Sequence, residues 1–370
     1  MAGQPILQFG TSRFLQAHVD LFVSEGSEAL GGITVVQGTD NPASTKRSQA
    51  LAEGYEVVIR GLSDGRPVET RQTCRSVREV LHARTDWRIL RERVQGPVRV
   101  IVSNTGDSGW ALADSDKAEL LAEGAQAPAS FPARLLVLLH GRWQANPGAA
   151  LTLLPCELVS RNGDRLRDLV VSLAREWHCP PAFVEWLQAH LVWGNSLVDR
   201  IVSEALEPAG AVAEPYALWA IEAQPGLQLP CQHPAILLTQ DLTRHERLKL
   251  FLLNLGHTLL ADIWKRSRLA ADMTVLQAMQ DAVLRQPLER AWQQEVLPVF
   301  DALGQGDEAR AYLVGLRDRL LNPFLVHRIA DIAQNHELKK ARRIRPLVEL
   351  AEVYVPALQQ PLLRAALATH

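Results

Sequence analysis

The sequence predicts an α/β N-terminal domain followed by a predominantly α-helical C-terminal domain. Three observations predict it. In the first half, short apolar runs that end in glycine or asparagine alternate with segments of helical period. After Gln240 the apolar period is helical almost throughout. The chain has 370 residues, enough for two domains of ordinary size. A division into 1–235 and 236–370 follows from where the pattern changes.

Composition narrows the possible functions. Hydrophobic residues make up 47% of the chain and charged residues 22%, as expected of a globular protein. The net charge of −2 argues against nucleic acid or an anionic membrane as the main partner. Cys74, Cys156, Cys179 and Cys231 are far apart and form no CxxC pair, so neither a zinc site nor a disulfide framework is expected. No apolar run reaches the ~20 residues of a membrane span. The N-terminus lacks the pattern of a signal peptide. The expectation is a cytoplasmic protein, monomer or homodimer, whose partner is a small molecule.

Pro5–Gly10 is an apolar strand ending in glycine, Thr11–Val23 has helical character, and Gly32–Gln37 is a second strand. Strand, glycine turn, helix and strand open a Rossmann-like unit, in which backbone N–H groups at the turn receive a pyrophosphate. Gly10, Thr11, Ser12, Arg13 and Phe14 are therefore candidates to touch a dinucleotide. The turn is imperfect because Ser12 stands where the full pattern has glycine, and similar turns occur without nucleotides. Gln37 and Asp40, at the end of the second strand, are candidates for the adenosine ribose; alternatively Asp40 caps the turn with Asn41-Pro42. No obvious basic cluster awaits a 2′-phosphate, although Lys46 and Arg47 are near, so NAD is favoured over NADP.

Tyr55–Arg60 and Val68–Thr73 flank a Ser-Asp-Gly-Arg-Pro turn and form a hairpin insertion. Val98–Ser103 is a buried parallel-type strand. Asn104 and Thr105 follow it, at the strand end that faces ligand in such sheets, or they form a simple turn. Leu151–Val159 is another buried strand, and Asp164 caps a helix that runs to Glu176. Leu191–Val202 is an apolar strand that carries Asn195, Ser196, Asp199 and Arg200. Buried opposite charges need each other or a ligand.

Arg247–Ala261 is mostly apolar and predicts a buried helix, with Lys249, Asn254 and His257 as its polar exceptions. At about 100° per residue these three fan over roughly 140° of one face. One reading is a core helix with a snorkelling lysine and a satisfied histidine. The other is a pocket wall, with a desolvated amine as proton acceptor and two groups gripping an oxygen. Helices are expected at about 274–300, 306–321 and 323–335, the last opened by Pro323. The basic run from Lys339 to Arg345 is either a solvated face or an anion-binding corner.

Lys249-x4-Asn254-x2-His257, Asn195-Ser-Leu-Val-Asp199-Arg200-Ile and Asn322-Pro-Phe-Leu-Val-His327 through Lys339 together resemble the long-chain polyol (mannitol) dehydrogenase family. Leu154-Pro-Cys-Glu-Leu158, Arg161-Asn-Gly163 and Val102-Ser-Asn-Thr105 are most similar to its tagaturonate reductase (altronate oxidoreductase) branch. Departures are Ser12 for glycine, Gln16 for the arginine of the turn, and Leu158 where the mannitol enzymes have asparagine. The resemblance implies metal-independent hydride transfer between NAD(H) and an open-chain sugar acid or polyol. It implies Lys249 as proton acceptor, Asn254 and His257 as oxygen ligands, and Asn195, Asp199, Arg200, His327 and Lys339 near substrate. Arg342 or Arg343 would join Lys339 at a carboxylate. Tagaturonate/altronate is the first substrate pair. The alternatives are fructuronate/mannonate, a polyol or polyol phosphate, or a degenerate nucleotide-binding protein.

Overall fold

The computed structural model describes residues 3–38, 42–106 and 109–368. It forms two compact units. The first comprises Met1–Val58, Arg71–Ala213 and Ala217–Leu242, and the second Ile59–Thr70, Glu214–Tyr216 and Thr243–His370.

Among the described residues the strands are β1 (Ile6–Phe9), β2 (Ile33–Gln37), β3 (Tyr55–Ser63), β4 (Arg66–Cys74), β5 (Val77–His82), β6 (Val100–Ser103), β7 (Thr152–Pro155), β8 (Val192–Trp193), β9 (Ser196–Asp199), β10 (Val202–Ala205), β11 (Ala211–Ala213), β12 (Leu218–Glu222) and β13 (Ile236–Thr239). The main sheet has the order β5-β2-β1-β6-β7-β8, and every pairing is parallel. Numbered within this sheet alone, the order is that of a doubly wound dinucleotide-binding fold, and it reverses between β1 and β6. β1, β2, β6 and β7 are buried along their whole length, which explains their largely apolar character; the few polar members, Gln8, Thr34, Gln37, Ser103 and Thr152, are buried too. Helices Trp87–Gln95, Phe131–Ala145 and Asn162–Glu176 close a core containing Leu7, Phe9, Ile101 and Leu153.

Several sequence expectations change. The predicted continuous helix after Gly10 is two pieces, Arg13–Gln16 and Val19–Glu25, separated by a turn in which the wholly buried His18 bonds the carbonyl of Leu218 at 3.2 Å. β5 was not expected; it pairs with β2 at the sheet edge, and its mixed apolar and charged residues match one covered face. The single strand expected over Leu191–Val202 is shared among three sheets. β8 ends the parallel sheet, β9 pairs antiparallel with β12, and β10 pairs with β11. The helix expected from Asp164 begins at Asn162, behind Arg161 in a left-handed conformation; Asp164 lies in its first turn and binds Arg161 and Arg167.

The second unit is mainly helical, around a core that includes Leu252, Leu259, Trp292, Phe300 and Leu347. The hairpin tip belongs to it. Its two-residue turn has Asp64 at φ 51° and Gly65 at φ 70°, the positive values that a tight Asp-Gly hairpin needs. Asn322 donates to the Arg60 carbonyl at 3.4 Å, and the Arg60 guanidinium lies over the Phe324 ring. Arg319 and Glu214 form a buried two-bond ion pair at 3.0 and 2.9 Å, with the guanidinium over Tyr216.

Two expected helices are altered. The segment over 274–300 divides into Val275–Gln280, Ala282–Arg290, a π-turn at Ala291–Val296, and Leu297–Ala302. Pro323 opens no helix. Asn322 Oδ1 instead accepts from the Phe324 N–H at 2.9 Å in a turn, Arg328 bridges to Thr274, and helix returns only at Ile329–Ile332.

Candidate active site

The predicted helix over Arg247–Ala261 contains a π-turn. Helix Leu242–Leu248 passes into i→i+5 geometry at Lys249–Asn254 and resumes as Leu255–Arg266. The Leu255 N–H reaches the carbonyls of Leu250 and Leu252. Trp292, wholly buried in the second π-turn, donates its indole N–H to the Leu252 carbonyl at 3.2 Å. Gly256 makes room for that indole; a Cβ there would lie 2.6 Å from Trp292 Cζ2.

The wider turn changes which side chains converge. A π-turn advances roughly 80° per residue, from about 4.4 residues per turn. Lys249, Asn254 and His257 then fall within about 60° of one another, against the 140° of a regular α-helix. Such turns are frequent at functional sites. Lys249 and Asn254 are half-buried and His257 is buried. The His257 and His327 rings meet edge to face with centroids 5.1 Å apart. Burial holds His327 below the usual imidazole range, with Asp331 opposing that shift and Lys339 adding to it. Lys339 donates to the Ile332 carbonyl at 2.7 Å. The second unit thus gathers Lys249, Asn254, His257, His327 and Lys339.

In the first unit, a cavity of about 740 Å³ opens where the sheet order reverses. Gly10, Thr11, Ser12, Arg13, Asn104 and Thr105 line it. Gly10 has φ 118°, and a Cβ would stand 2.6 Å from the Asn104 carbonyl oxygen, so only glycine fits. The Ser12 hydroxyl is turned back: it caps the short helix by accepting from the Leu15 N–H at 3.3 Å and donates to Asn104 Oδ1 at 3.2 Å. Serine therefore replaces glycine here while its side chain stays engaged with the turn. Arg13, Arg47 and Arg134 stand on the wall, and the described lining contains no acid. A glycine cradle with cationic walls at the switch point fits a dinucleotide diphosphate.

Other predicted residues are placed differently. Phe14 is absent from the cavity lining and stacks on His18 at 4.7 Å. Gln37 is buried and receives the Ser48 hydroxyl, while its neighbours Val36 and Gly38 line the cavity. Asp40 lies outside the described residues. Gln16 is buried, donating to the Thr11 carbonyl at 2.9 Å and accepting from the Gly210 N–H at 2.7 Å; it braces the turn. Asn195 is also buried, with its amide bonded to Glu222, Asp164 and the Asp164 N–H. It fixes the chain that leads to Asp199. Asp199 is buried at the end of β9, and Arg200 donates to the Ala17 carbonyl at 2.7 Å.

Glu157 was missed as a site residue. Its buried carboxylate accepts from the Ser103 hydroxyl at 2.9 Å and from both the N–H and hydroxyl of Thr105 at 3.0 Å. The available signal was an acid inside the apolar run Leu151–Val159; the strand itself ends at Pro155, two residues earlier.

Two family models cover most of the chain: the mannitol dehydrogenase Rossmann domain matches residues 4–230, and the mannitol dehydrogenase C-terminal domain matches residues 241–365. The chain belongs to the mannitol dehydrogenase family. Membership makes it an oxidoreductase acting on CH–OH groups. Altronate oxidoreductase of Halalkalibacterium halodurans is 30% identical over 365 residues, covering 92% of this chain and 69% of that protein. The Klebsiella pneumoniae enzyme of the same name is 32% identical over 372 residues, covering 92% and 74%. Among solved structures, a D-sorbitol dehydrogenase superposes with a TM-score of 0.76 at 18% identity, over 94% of this chain and 76% of that one. The Pseudomonas fluorescens mannitol 2-dehydrogenase complex with NAD and D-mannitol gives 0.71 at 19% identity, over 98% and 78%. Both solved structures share the fold of this chain.

Proposed function

We propose that this mannitol dehydrogenase family member interconverts a keto-sugar acid and its hydroxy sugar acid, of the tagaturonate/altronate type, with NAD(H). The observation that carries the reading is the likeness to altronate oxidoreductases at 30 to 32% identity across 92% of the chain. The cofactor is assigned to the cavity beside Gly10, in a domain of residues 1–235. Chemistry is assigned to the π-turn, in a domain of residues 236–370.

When bound, NAD(H) supplies or receives the hydride. In the oxidation direction the Lys249 amine takes the alcohol proton from the substrate hydroxyl, and in reduction it returns that proton to the carbonyl oxygen. The Asn254 amide and the His257 ring hydrogen-bond the same oxygen as charge develops on it. Asp199 is assigned to orienting substrate hydroxyls, Asn195 holds the chain that leads to it, and Arg200 and His327 are assigned to the substrate's surroundings.

The test begins with purified protein titrated with NADH and NADPH, followed by a panel of keto-sugar acids and ketoses. Oxidation of NADH by a keto-sugar acid supports the reading, and turnover of uncharged sugars alone overturns the sugar-acid part. Lys249→Ala should lower turnover by about 10²–10⁴-fold and remove the ionisation seen in the oxidation pH profile. An unchanged profile would mean that another group carries the proton.

A further inference from the structure

This inference rests on the sugar-acid reading and concerns recognition of the acid end. The basic run at the end of helix His336–Arg343 does not act as one surface. Lys340 is buried and pairs with Glu337 at 2.8 Å, whereas Arg342 and Arg345 are exposed. Arg343 and Lys339 differ from both groups. Each is half-buried, and each bonds a neutral oxygen. Arg343 donates to the Thr258 hydroxyl at 3.3 Å, and Lys339 donates to the Ile332 carbonyl at 2.7 Å. Neither makes an ion pair with a carboxylate among the described residues.

Their place is tied to the π-turn. Thr258 follows His257, is wholly buried, and donates its hydroxyl to the Asn254 carbonyl at 2.9 Å. One hydroxyl therefore joins the Arg343 guanidinium to the backbone of the turn that carries Asn254. Lys339 is close enough to Arg343 for the two charges to repel, and close enough to His327 to act on it. His327 in turn meets His257. Burial lowers the pKa of both cations, and Arg343 lowers that of Lys339 further. Two partly desolvated, mutually repelling cations are unfavourable until an anion joins them.

We propose that Arg343, supported by Lys339, binds the substrate carboxylate, and that Thr258 positions the guanidinium for it. The assignment selects Arg343 over Arg342 within the basic run. A guanidinium has five N–H donors in a fixed fork; with one engaged by Thr258, the remainder can still grip a carboxylate. An uncharged polyol offers no such group, so Arg343 sets the preference for acids over neutral sugars.

The decisive experiment compares kcat/KM for the best keto-sugar acid with that for the matching uncharged ketose, in the full chain. Arg343→Gln should lower the acid-to-neutral ratio by about 10²-fold, chiefly through KM for the acid. Arg343→Lys should recover part of the ratio, because charge returns without the fork. Thr258→Val should lower it several-fold. Thermal melts with gluconate and with sorbitol supply a readout independent of turnover: gluconate should stabilise the wild type and not Arg343→Gln. An unchanged ratio together with equal gluconate stabilisation of both proteins overturns the proposal. If the wild type reduces only uncharged ketoses, the sugar-acid reading fails. The gluconate melts then still decide whether Arg343 is a carboxylate site.

Discussion

Glu157 offers a quantitative test of how the cofactor cavity is held. Its carboxylate serves three donors: the Ser103 hydroxyl, the Thr105 N–H and the Thr105 hydroxyl, at 2.9, 3.0 and 3.0 Å. The three donors are not equivalent. A hydroxyl can rotate and accept from an amide NH₂, whereas the N–H of Thr105 can only donate. Glu157→Gln can therefore keep its oxygen toward Thr105 and turn its NH₂ toward Ser103. It loses mainly the charge assistance, about 1–2 kcal/mol. Glu157→Leu leaves the Thr105 N–H without its acceptor and removes all three bonds, costing about 3–5 kcal/mol. Part of that loss falls on the Asn104–Thr105 wall of the cavity, so NADH should bind at least ~10-fold more weakly to the leucine variant. The glutamine variant should stay within a few-fold of wild type. Fluorescence titration with NADH and urea melts of all three proteins measure both quantities. Wild-type NADH affinity in a folded Glu157→Leu protein refutes the reasoning, because the wall would then not need its carboxylate anchor.

Other expectations concern the buried acid and the π-turn. Burial raises the pKa of Asp20 from 3.8 to about 7, despite hydrogen bonds from Tyr55 and Gln8. The folded state then retains a proton that the unfolded state has lost, so the stabilisation is complete below about pH 4 and declines as pH rises to about 7. Asp20→Asn should remove this dependence and gain up to about 4 kcal/mol relative to wild type at pH 8, read from urea midpoints at pH 5 and 8. Parallel pH curves for the two proteins contradict it. Gly256→Ala drives a methyl to 2.6 Å from Trp292 Cζ2. It should cost about 1–3 kcal/mol and reduce kcat while leaving NADH affinity near wild type. A normal kcat with lowered stability disconnects that packing from the chemistry.

The four inner strands of the parallel sheet, β1, β2, β6 and β7, were legible in the sequence, because strands buried on both faces are written as short, mostly apolar runs. Val77–His82 was concealed by the opposite cause: an edge strand with one covered face intersperses arginine and glutamate, and no turn signal isolates it. Pro323 suggested a helix start, yet the Asn322 side chain stabilises a turn there, and local propensity cannot weigh that competition. Lys249, Asn254 and His257 stood out in the sequence as polar exceptions in an apolar helix, whereas the π-turn that narrows their angular spread did not. The residues of Lys249–Asn254 suit an α-helix equally well; the indole that binds the Leu252 carbonyl comes from forty residues further along the chain. Glu157 and Thr258 escaped for a related reason. Each acts by bonding another site residue, a relation that composition and period do not encode.

The division of Val192–Ala205 among three sheets has a consequence for how the first unit opens. β8, β9 and β10 follow one another with only short links, yet each is stitched to a different neighbour: β7, β12 and β11. Fraying of any one of those sheets pulls directly on the other two through an almost inextensible segment. Partial opening at this place is therefore penalised three times over. The amides that β8, β9 and β10 donate to their partners should exchange with solvent on the timescale of complete unfolding of the unit rather than by local breathing.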